Sequence, residues 1–257
     1  MEIQDKVVVI TGGASGLGRA TADYFRARGA RVAIFDLNEE MGNAAVAELG
    51  EDNALFLATD VTSEESVTAA VEATMDRFGA IHVNINCAGV PAPCKVLDRE
   101  GRATALKKFA FVVNVNLIGL FNVMSKCVEK MALNEPEGGE ERGAVINISS
   151  GAAFEGQIGQ CAYSASKSGV LGLNMPAARE LGDLGVRVNA ICPGLFLTPM
   201  AQSLDPKVLD ALVKIPEAPR RCGDMEEFAH CCAFLVENSY MNGRTIRLDA
   251  ATVMPAG

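Results

Sequence analysis

The chain has 257 residues, enough for one large domain or two small ones, and its 49% apolar and 21% charged composition implies a folded protein with an ample core. A net charge of −9 argues against nucleic-acid binding through a basic surface by this chain alone. No run of 18 apolar residues occurs, so no membrane-spanning helix and no membrane partner is expected.

The first strand is 7-VVVI-10, and it enters the turn 11-TGGASGLG-18 directly. A helix over 17–28 follows, then the strand 31-RVAIF-35 and a helix over 39–49. The strand 54-ALFLA-58 leads to a helix over 64–77, whose start, 62-TSEE-65, reads as a capping box. After the strand 82-HVNIN-86 comes a long helix over 105–133, and then the acidic, Gly-rich stretch 134-NEPEGGEERG-143, too polar to pack and expected as an exposed loop. The strand 144-AVINIS-149 precedes a helix over 162–182, which Pro176 should bend. The strand 187-RVNAIC-192, helices over 199–214 and 224–237 and the strand 245-TIRL-248 complete the order.

Most of these strands are apolar on both faces, as strands covered by helices on both sides should be. Strand and helix alternate, which predicts an α/β architecture: a doubly wound, seven-stranded parallel sheet with helices on both faces, a Rossmann fold. With no linker or repeat, residues 1–257 read as one domain, and the apolar, Pro-rich segment 195–221 reads as a substrate lid.

A strand, a glycine-rich turn and a helix form the layout that binds a pyrophosphate, because glycines allow close backbone approach and the helix start offers free N–H groups. Here the spacing is G-x-x-x-G-x-G, from Gly12, Gly16 and Gly18. Asp36 ends the second strand, where a carboxylate accepts from an adenosine ribose and repels a 2′-phosphate. No Arg or Lys lies within 11–18, so NAD is favoured over NADP. Asp36 also suits a helix N-cap for 39–49, and both roles are compatible. The acidic turn 60-DV-61 ends the third strand, where an adenine could rest.

The eight cysteines, at 87, 94, 127, 161, 192, 222, 231 and 232, include no CxxC pair, so reduced thiols are expected. His82 and His230 are isolated, which predicts structural roles and no metal site. The opening MEIQDK carries no basic-then-apolar leader, and a cytoplasmic location is expected, with the mitochondrial matrix as the alternative.

In 163-YSASK-167, Tyr163 and Lys167 share one face of a helix. A free tyrosine titrates near 10, and bringing it to about 7 needs roughly 4 kcal/mol of differential stabilisation, towards which a nearby ammonium and a positive nicotinamide ring both work in a partly dry cleft. Ser150 lies thirteen residues upstream, at a strand end, where its hydroxyl can hold a substrate oxygen. Ser149 reads as a structural cap.

These features, with Asp60, 86-NCAG-89, Asn116 in 114-NVN-116 and 193-PG-194, resemble the short-chain dehydrogenase/reductase family over the whole chain. The resemblance implies that Tyr163 moves the proton, Lys167 binds the nicotinamide ribose and lowers the tyrosine pKa, Ser150 orients the carbonyl, and Asn116 holds a water that links Lys167 to solvent. It implies cofactor contacts at Ser15, Leu17, Asp36, Asp60, Val61, Cys87, Tyr163, Lys167 and Phe196, with Gly12, Gly16, Gly18, Ala88, Gly89, Pro193, Gly194 and Thr198 along the same site. Cys87, where the family usually has asparagine, would be a wall residue and not a nucleophile.

The segments 134-NEPEGGEERG-143, 152-AAFEGQIGQCAYSASK-167, 193-PGLFLTPM-200 and 246-IRLDAA-251 resemble the family's branch that oxidises 3-hydroxyacyl-CoA. That resemblance implies an L-3-hydroxyacyl-CoA substrate, Gln157 beside it, and a homotetramer. A hydroxysteroid or another secondary alcohol is the alternative substrate. A non-catalytic subunit of an RNA-processing complex is the alternative of another class, and the complete Ser150, Tyr163 and Lys167 set weighs against it. Residues 90–108 carry Lys95, Arg99, Arg102, Lys107 and Lys108 against Asp98 and Glu100, a positive stretch that suits a phosphate-bearing substrate or an ordinary solvated surface.

Overall fold

In a computed structural model that describes residues 1–198 and 212–256, the seven apolar runs become seven parallel strands. They are β1 (Val7–Thr11), β2 (Arg31–Asp36), β3 (Ala54–Ala58), β4 (Val83–Asn86), β5 (Gly143–Ile148), β6 (Val186–Pro193) and β7 (Thr245–Leu248). Their order across the sheet is β3-β2-β1-β4-β5-β6-β7. Between them run α1 (Gly16–Ala27), α2 (Glu39–Leu49), α3 (Glu64–Phe78), α4 (Leu106–Val113), α5 (Leu120–Met131), α6 (Cys161–Glu180) and α7 (Met225–Glu237).

The strands lack polar alternation because both faces are covered. Val8 and Ile10 face a layer with Ala22 and Phe25 of α1 and Phe228 and Leu235 of α7. Val7 and Val9 face the opposite layer, with Val67 and Val71 of α3 and Val123 and Cys127 of α5. The chain winds one way from β1 to β3 and the other way from β4 to β7. The reversal opens a crevice between the carboxyl ends of β1 and β4, where doubly wound sheets hold ligands.

Several expectations need correction. The helix expected over 105–133 is helical throughout but not uniformly α: Asn114–Gly119 forms a π-helical turn between α4 and α5. Gly119 packs on Val61 there, leaving 2.7 Å between a would-be Cβ and Val61 Cγ2. Although no run of 18 apolar residues exists, the continuous helix Leu106–Met131 contains an 18-residue stretch of mean hydropathy 1.5 and is long enough to cross a membrane. It packs inside the protein through Val112, Leu120, Val123, Met124, Cys127, Val128 and Met131, and leaves Leu106, Phe111, Ile118 and Phe121 exposed.

The cap of α3 is Ser63, which accepts from Ser66 N, and not the box expected at 62–65. Thr62 is unavailable because its hydroxyl donates to Asp60 Oδ1. Pro176 sits inside α6, and the helix runs through it to Glu180, as expected for that segment. The acidic loop is only partly exposed: Asn134 Nδ2 donates to Ile81 O at 2.7 Å and to Arg142 O at 2.9 Å. Its Glu141 pairs with the buried Arg187 at 2.6 Å. Arg187 also donates to the carbonyls of Leu235, Val236 and Met241, so that a cation between β6 and α7 has its partners. Most of the expected helix over 199–214, with residues 199–211 of the 195–221 segment, lies outside the described residues.

The eight cysteines are all free thiols. His82 Nδ1 accepts from Val7 N at 3.1 Å, and burial pushes its pKa down to about 4. His230 packs near the Tyr24 ring. No cluster of potential metal ligands exists among the described residues.

Candidate active site

The glycine turn is shaped by contacts that only hydrogen atoms permit. Gly12 has φ +65°, and a Cβ there would stand 3.0 Å from Ala88 N. A Cβ on Gly18 would strike the carbonyl of Gly12. The first turn of α1 carries no acidic residue and its Ser15 cap makes no side-chain bond, so its leading N–H groups suit an anion. Asp36 braces this turn from β2: Oδ2 accepts from Ala14 N and Oδ1 from Asn38 N, each at 3.1 Å. It is not the cap of α2; Asn38 is, accepting from Met41 N at 3.0 Å. Each Asp36 oxygen keeps a further lone pair, which a ribose hydroxyl could use.

Beyond the turn lies a groove of about 380 Å³ lined by Gly12, Ser15, Leu17, Gly18, Asp36, Val61, Cys87, Ala88 and Gly89, together with Phe35, Leu37, Thr59, Val90, Val115 and Ile148. Thr11 holds the 86–89 turn in place, its Oγ1 accepting from Ala88 N at 3.0 Å. Burial pushes the Cys87 thiol up to about 12, so it is a wall group and not a nucleophile at neutral pH.

Asn116 sits in the π turn, fully buried. Its Oδ1 accepts from Val90 N at 2.8 Å, while Nδ2 donates to Val90 O and to Ser166 Oγ, each at 3.1 Å. The wider turn thus lets one amide join the loop after β4 to α6. π turns of this sort concentrate at functional sites.

Tyr163 and Lys167 lie on the first turns of α6. Lys167 Nζ donates to Ile148 O at 2.8 Å and stands 5.8 Å from the centre of the Tyr163 ring. Burial lowers its pKa to about 8, partly opposed by the nearby Cys87 and Cys192 thiols. Ser149 Oγ donates to Lys167 O at 2.7 Å, a structural tie from β5 to α6. Ser150 caps the short turn Gly151–Ala153, its Oγ accepting from Ala152 N at 3.2 Å, and its hydroxyl neighbours the Tyr163 side chain. The Tyr163 pKa moves opposite to the expected direction: burial raises it, and the neighbouring Ser150 hydroxyl is the opposing influence.

The other expected site residues lie outside the lining of the groove. Asp60 turns its Oδ1 to Thr62 N and Oγ1, capping its own turn. The Phe196 ring enters the core, 6.0 Å from Phe228. Pro193 ends β6, and Gly194 packs against Asp249. Thr198 reaches over Gly16, whose would-be Cβ is 4.0 Å from Thr198 Cγ2. Gln157 is engaged by the chain: Nε2 donates to Pro255 O at 3.1 Å, and Oε1 accepts from Gln160 Nε2. Within 90–108, Arg102 is neutralised by Asp98 and Glu100. Lys95, Arg99, Lys107 and Lys108 make no ion pair among the described residues. Thr11 and Ser166, which brace the site, were not anticipated. A threonine closing an apolar strand and a serine next to Lys167 were the only signals.

A family described as short chain dehydrogenase matches residues 6–209. The chain is 45% identical over 253 residues to the 3-hydroxyacyl-CoA dehydrogenase type-2 of Bos taurus, covering 98% of this chain and 97% of that protein. It is 34% identical to the ipsdienol dehydrogenase of Ips pini over 98% of both chains. Among solved structures, the 3-hydroxyacyl-CoA dehydrogenase type-2 of Mycobacterium avium superposes with a TM-score of 0.94 at 38% identity, covering 100% of this chain and 98% of that one.

Proposed function

The chain belongs to the short-chain dehydrogenase family, oxidoreductases that use a nicotinamide cofactor, and from that premise we propose that it interconverts an L-3-hydroxyacyl-CoA and its 3-ketoacyl-CoA with NAD. The observation that carries this reading is the placing of Ser150 and Tyr163 together beside Lys167, next to a groove whose far wall is Asp36. The glycine cradle fits a pyrophosphate, because added Cβ atoms at Gly12 and Gly18 would fill it. Asp36 would bind the ribose and disfavour a 2′-phosphate, so NAD is the proposed cofactor.

In oxidation, Tyr163 takes the hydroxyl proton while Ser150 holds the substrate oxygen. General acid–base help of this kind contributes about 10² to 10⁴-fold, and positioning supplies the rest. With a pKa of about 8, Lys167 is largely charged at pH 7 and favours the phenolate. Asn116 and Ile148 hold that ammonium and its surroundings fixed. A nicotinamide cofactor held along this groove would supply the hydride acceptor or donor that the reaction needs.

Lys95, Arg99, Lys107 and Lys108 are proposed to meet the phosphates of the substrate. The exposed stripe of Leu106, Phe111, Ile118 and Phe121 supports a homotetramer, with a second copy of the chain covering it. A second substrate reading, a hydroxysteroid or another secondary alcohol, is favoured by Val96, Leu97 and Ile158, exposed apolar side chains that suit an uncharged skeleton as well as an acyl chain.

The test is absorbance of reduced cofactor with acetoacetyl-CoA, NADH and NADPH in parallel, and Tyr163→Phe as control. Rapid NADH oxidation that collapses in the variant is expected. No turnover of acetoacetyl-CoA with intact NADH binding would remove the substrate and leave the family.

A further inference from the structure

After β7 the chain turns through Ala250 and Ala251 at φ +50° and +56°. Alanine in this region costs about 1 kcal/mol, so two in succession persist only where the surroundings determine them. The surroundings here are extensive. Glu217 N donates to Ala250 O at 3.0 Å, and Gly194 lies so close to Asp249 that a Cβ would sit 2.7 Å from its Cα. At the centre is Arg247. Its Nη1 and Nη2 meet the two oxygens of Glu155 at 2.9 and 3.1 Å. Its Nε donates to Asp249 Oδ2 at 2.6 Å, and Nη2 reaches Thr252 O at 3.0 Å. The guanidinium lies 5.2 Å from the centre of the Phe154 ring.

Phe154 and Glu155 belong to the loop that joins Ser150 to Tyr163. Phe154 and Ile158 in that loop are exposed, so apolar packing does little to fix it. The polar anchors are Arg247 on Glu155, Ser168 Oγ on Ala153 O, Cys94 N on Gly159 O at 2.7 Å, and the tail carbonyls of Pro255 and Ala256, which accept from Gln157 Nε2 and Ile158 N. A two-pronged arginine–carboxylate pair sets orientation as well as distance, which the single bonds do not.

We propose that Arg247 is a positioning residue for the reaction: by gripping Glu155 and the 249–252 turn together, it sets Ser150 against Tyr163. Arg247 acts only through Glu155 and the turn. The proposal rests on the reading of Tyr163 as the proton-transfer group. The neighbouring Ser150 hydroxyl is the influence that lowers the Tyr163 pKa, so a slack loop should raise that pKa and slow the reaction together.

The experiment compares Arg247→Ala, Arg247→Lys, Glu155→Ala and the double alanine variant. Expected is a loss of about tenfold in kcat for each alanine variant, with KM for NADH within about twofold of wild type. The double variant should be no worse than either single. Arg247→Lys, which keeps the charge but loses the fork, should fall between and serves where alanine variants fail to fold. The acid limb of the pH–rate profile for oxidation should move up. Tyrosinate absorbance in the NAD-bound protein, with Tyr163→Phe as blank, follows the same phenol without turnover. A wild type inert to acetoacetyl-CoA would therefore sink the substrate reading and leave this test intact. Additive losses, an unmoved tyrosinate titration, or a KM for NADH that rises as kcat falls would overturn the role of Arg247.

Discussion

The Asn116 amide oxygen and the Lys167 ammonium converge over Gly89: a methyl group there would lie 3.2 Å from Asn116 Oδ1 and 3.5 Å from Lys167 Nζ. Neither neighbour can easily give way. Asn116 is held by Val90 and Ser166, and Lys167 by Ile148. Gly89→Ala should therefore lower kcat/KM about tenfold or more while the protein stays folded. Steady-state rates beside a thermal melt check this, and wild-type kinetics in the variant would show that the convergence does not matter.

Asp36→Ser should weaken NADH more than NADPH. It removes the carboxylate proposed to repel a 2′-phosphate and also the brace on Ala14 N, so some loss with both cofactors is expected. The ratio of kcat/KM for NADH over NADPH should fall by about 100-fold, or roughly 2.7 kcal/mol. A ratio that does not change would mean that Asp36 serves the turn alone.

Lys167 is held at about 8, below its ordinary 10.5, because burial disfavours its charge. Between those two values the unfolded chain binds more protons than the folded one, so this group makes stability rise with pH from about 8 to 10.5. Lys167→Met should abolish that rise and should melt no lower than wild type at pH 7, while activity falls steeply. Melting curves across the range, read as the difference between the two proteins, give the answer. A variant that melts well below wild type at pH 7 would show that the bond to Ile148 O outweighs the burial cost.

His82 works at the acid end. Its folded pKa of about 4 lies below the ordinary 6.5, because it is buried and accepts from Val7 N in its neutral form. The contribution is fully present above about 6.5 and is lost as pH falls through 4. His82→Asn should flatten the fall in melting temperature over that interval. Parallel acid titrations by circular dichroism would expose an unchanged slope.

Glu141→Ala should cost about 3 kcal/mol, because it leaves the Arg187 guanidinium buried without its counter-charge. The pair lies by the amino end of β6, at the edge of the sheet opposite the groove, so KM for both substrates should hold. Denaturant midpoints and steady-state kinetics on one preparation separate the two effects. A lost KM without lost stability would contradict this account.

All seven strands and most helices were legible as apolar runs broken by turns, because a strand covered on both faces leaves no polar alternation and each helix leaves a repeat near 3.6 residues. The turn from Gly12 to Gly18, Asp36 at the end of β2, and the four-residue step from Tyr163 to Lys167 are equally local, and the sequence by itself determined them. What tertiary structure decided is what those groups touch. The π turn at 114–119 has no periodic signature and exists where Asn116 can reach both Val90 and Ser166. The acidic loop looked fit only for solvent until Arg187, far along the chain, offered it a buried cation. Tyr163 and Lys167 share a helix face, but burial directs their proton affinities, and Gln157 is turned to the tail by Pro255 O. Spacing fixes which side of an element a residue occupies. Only long-range packing brings the partner that sets its hydrogen bonds, its solvation and therefore its charge.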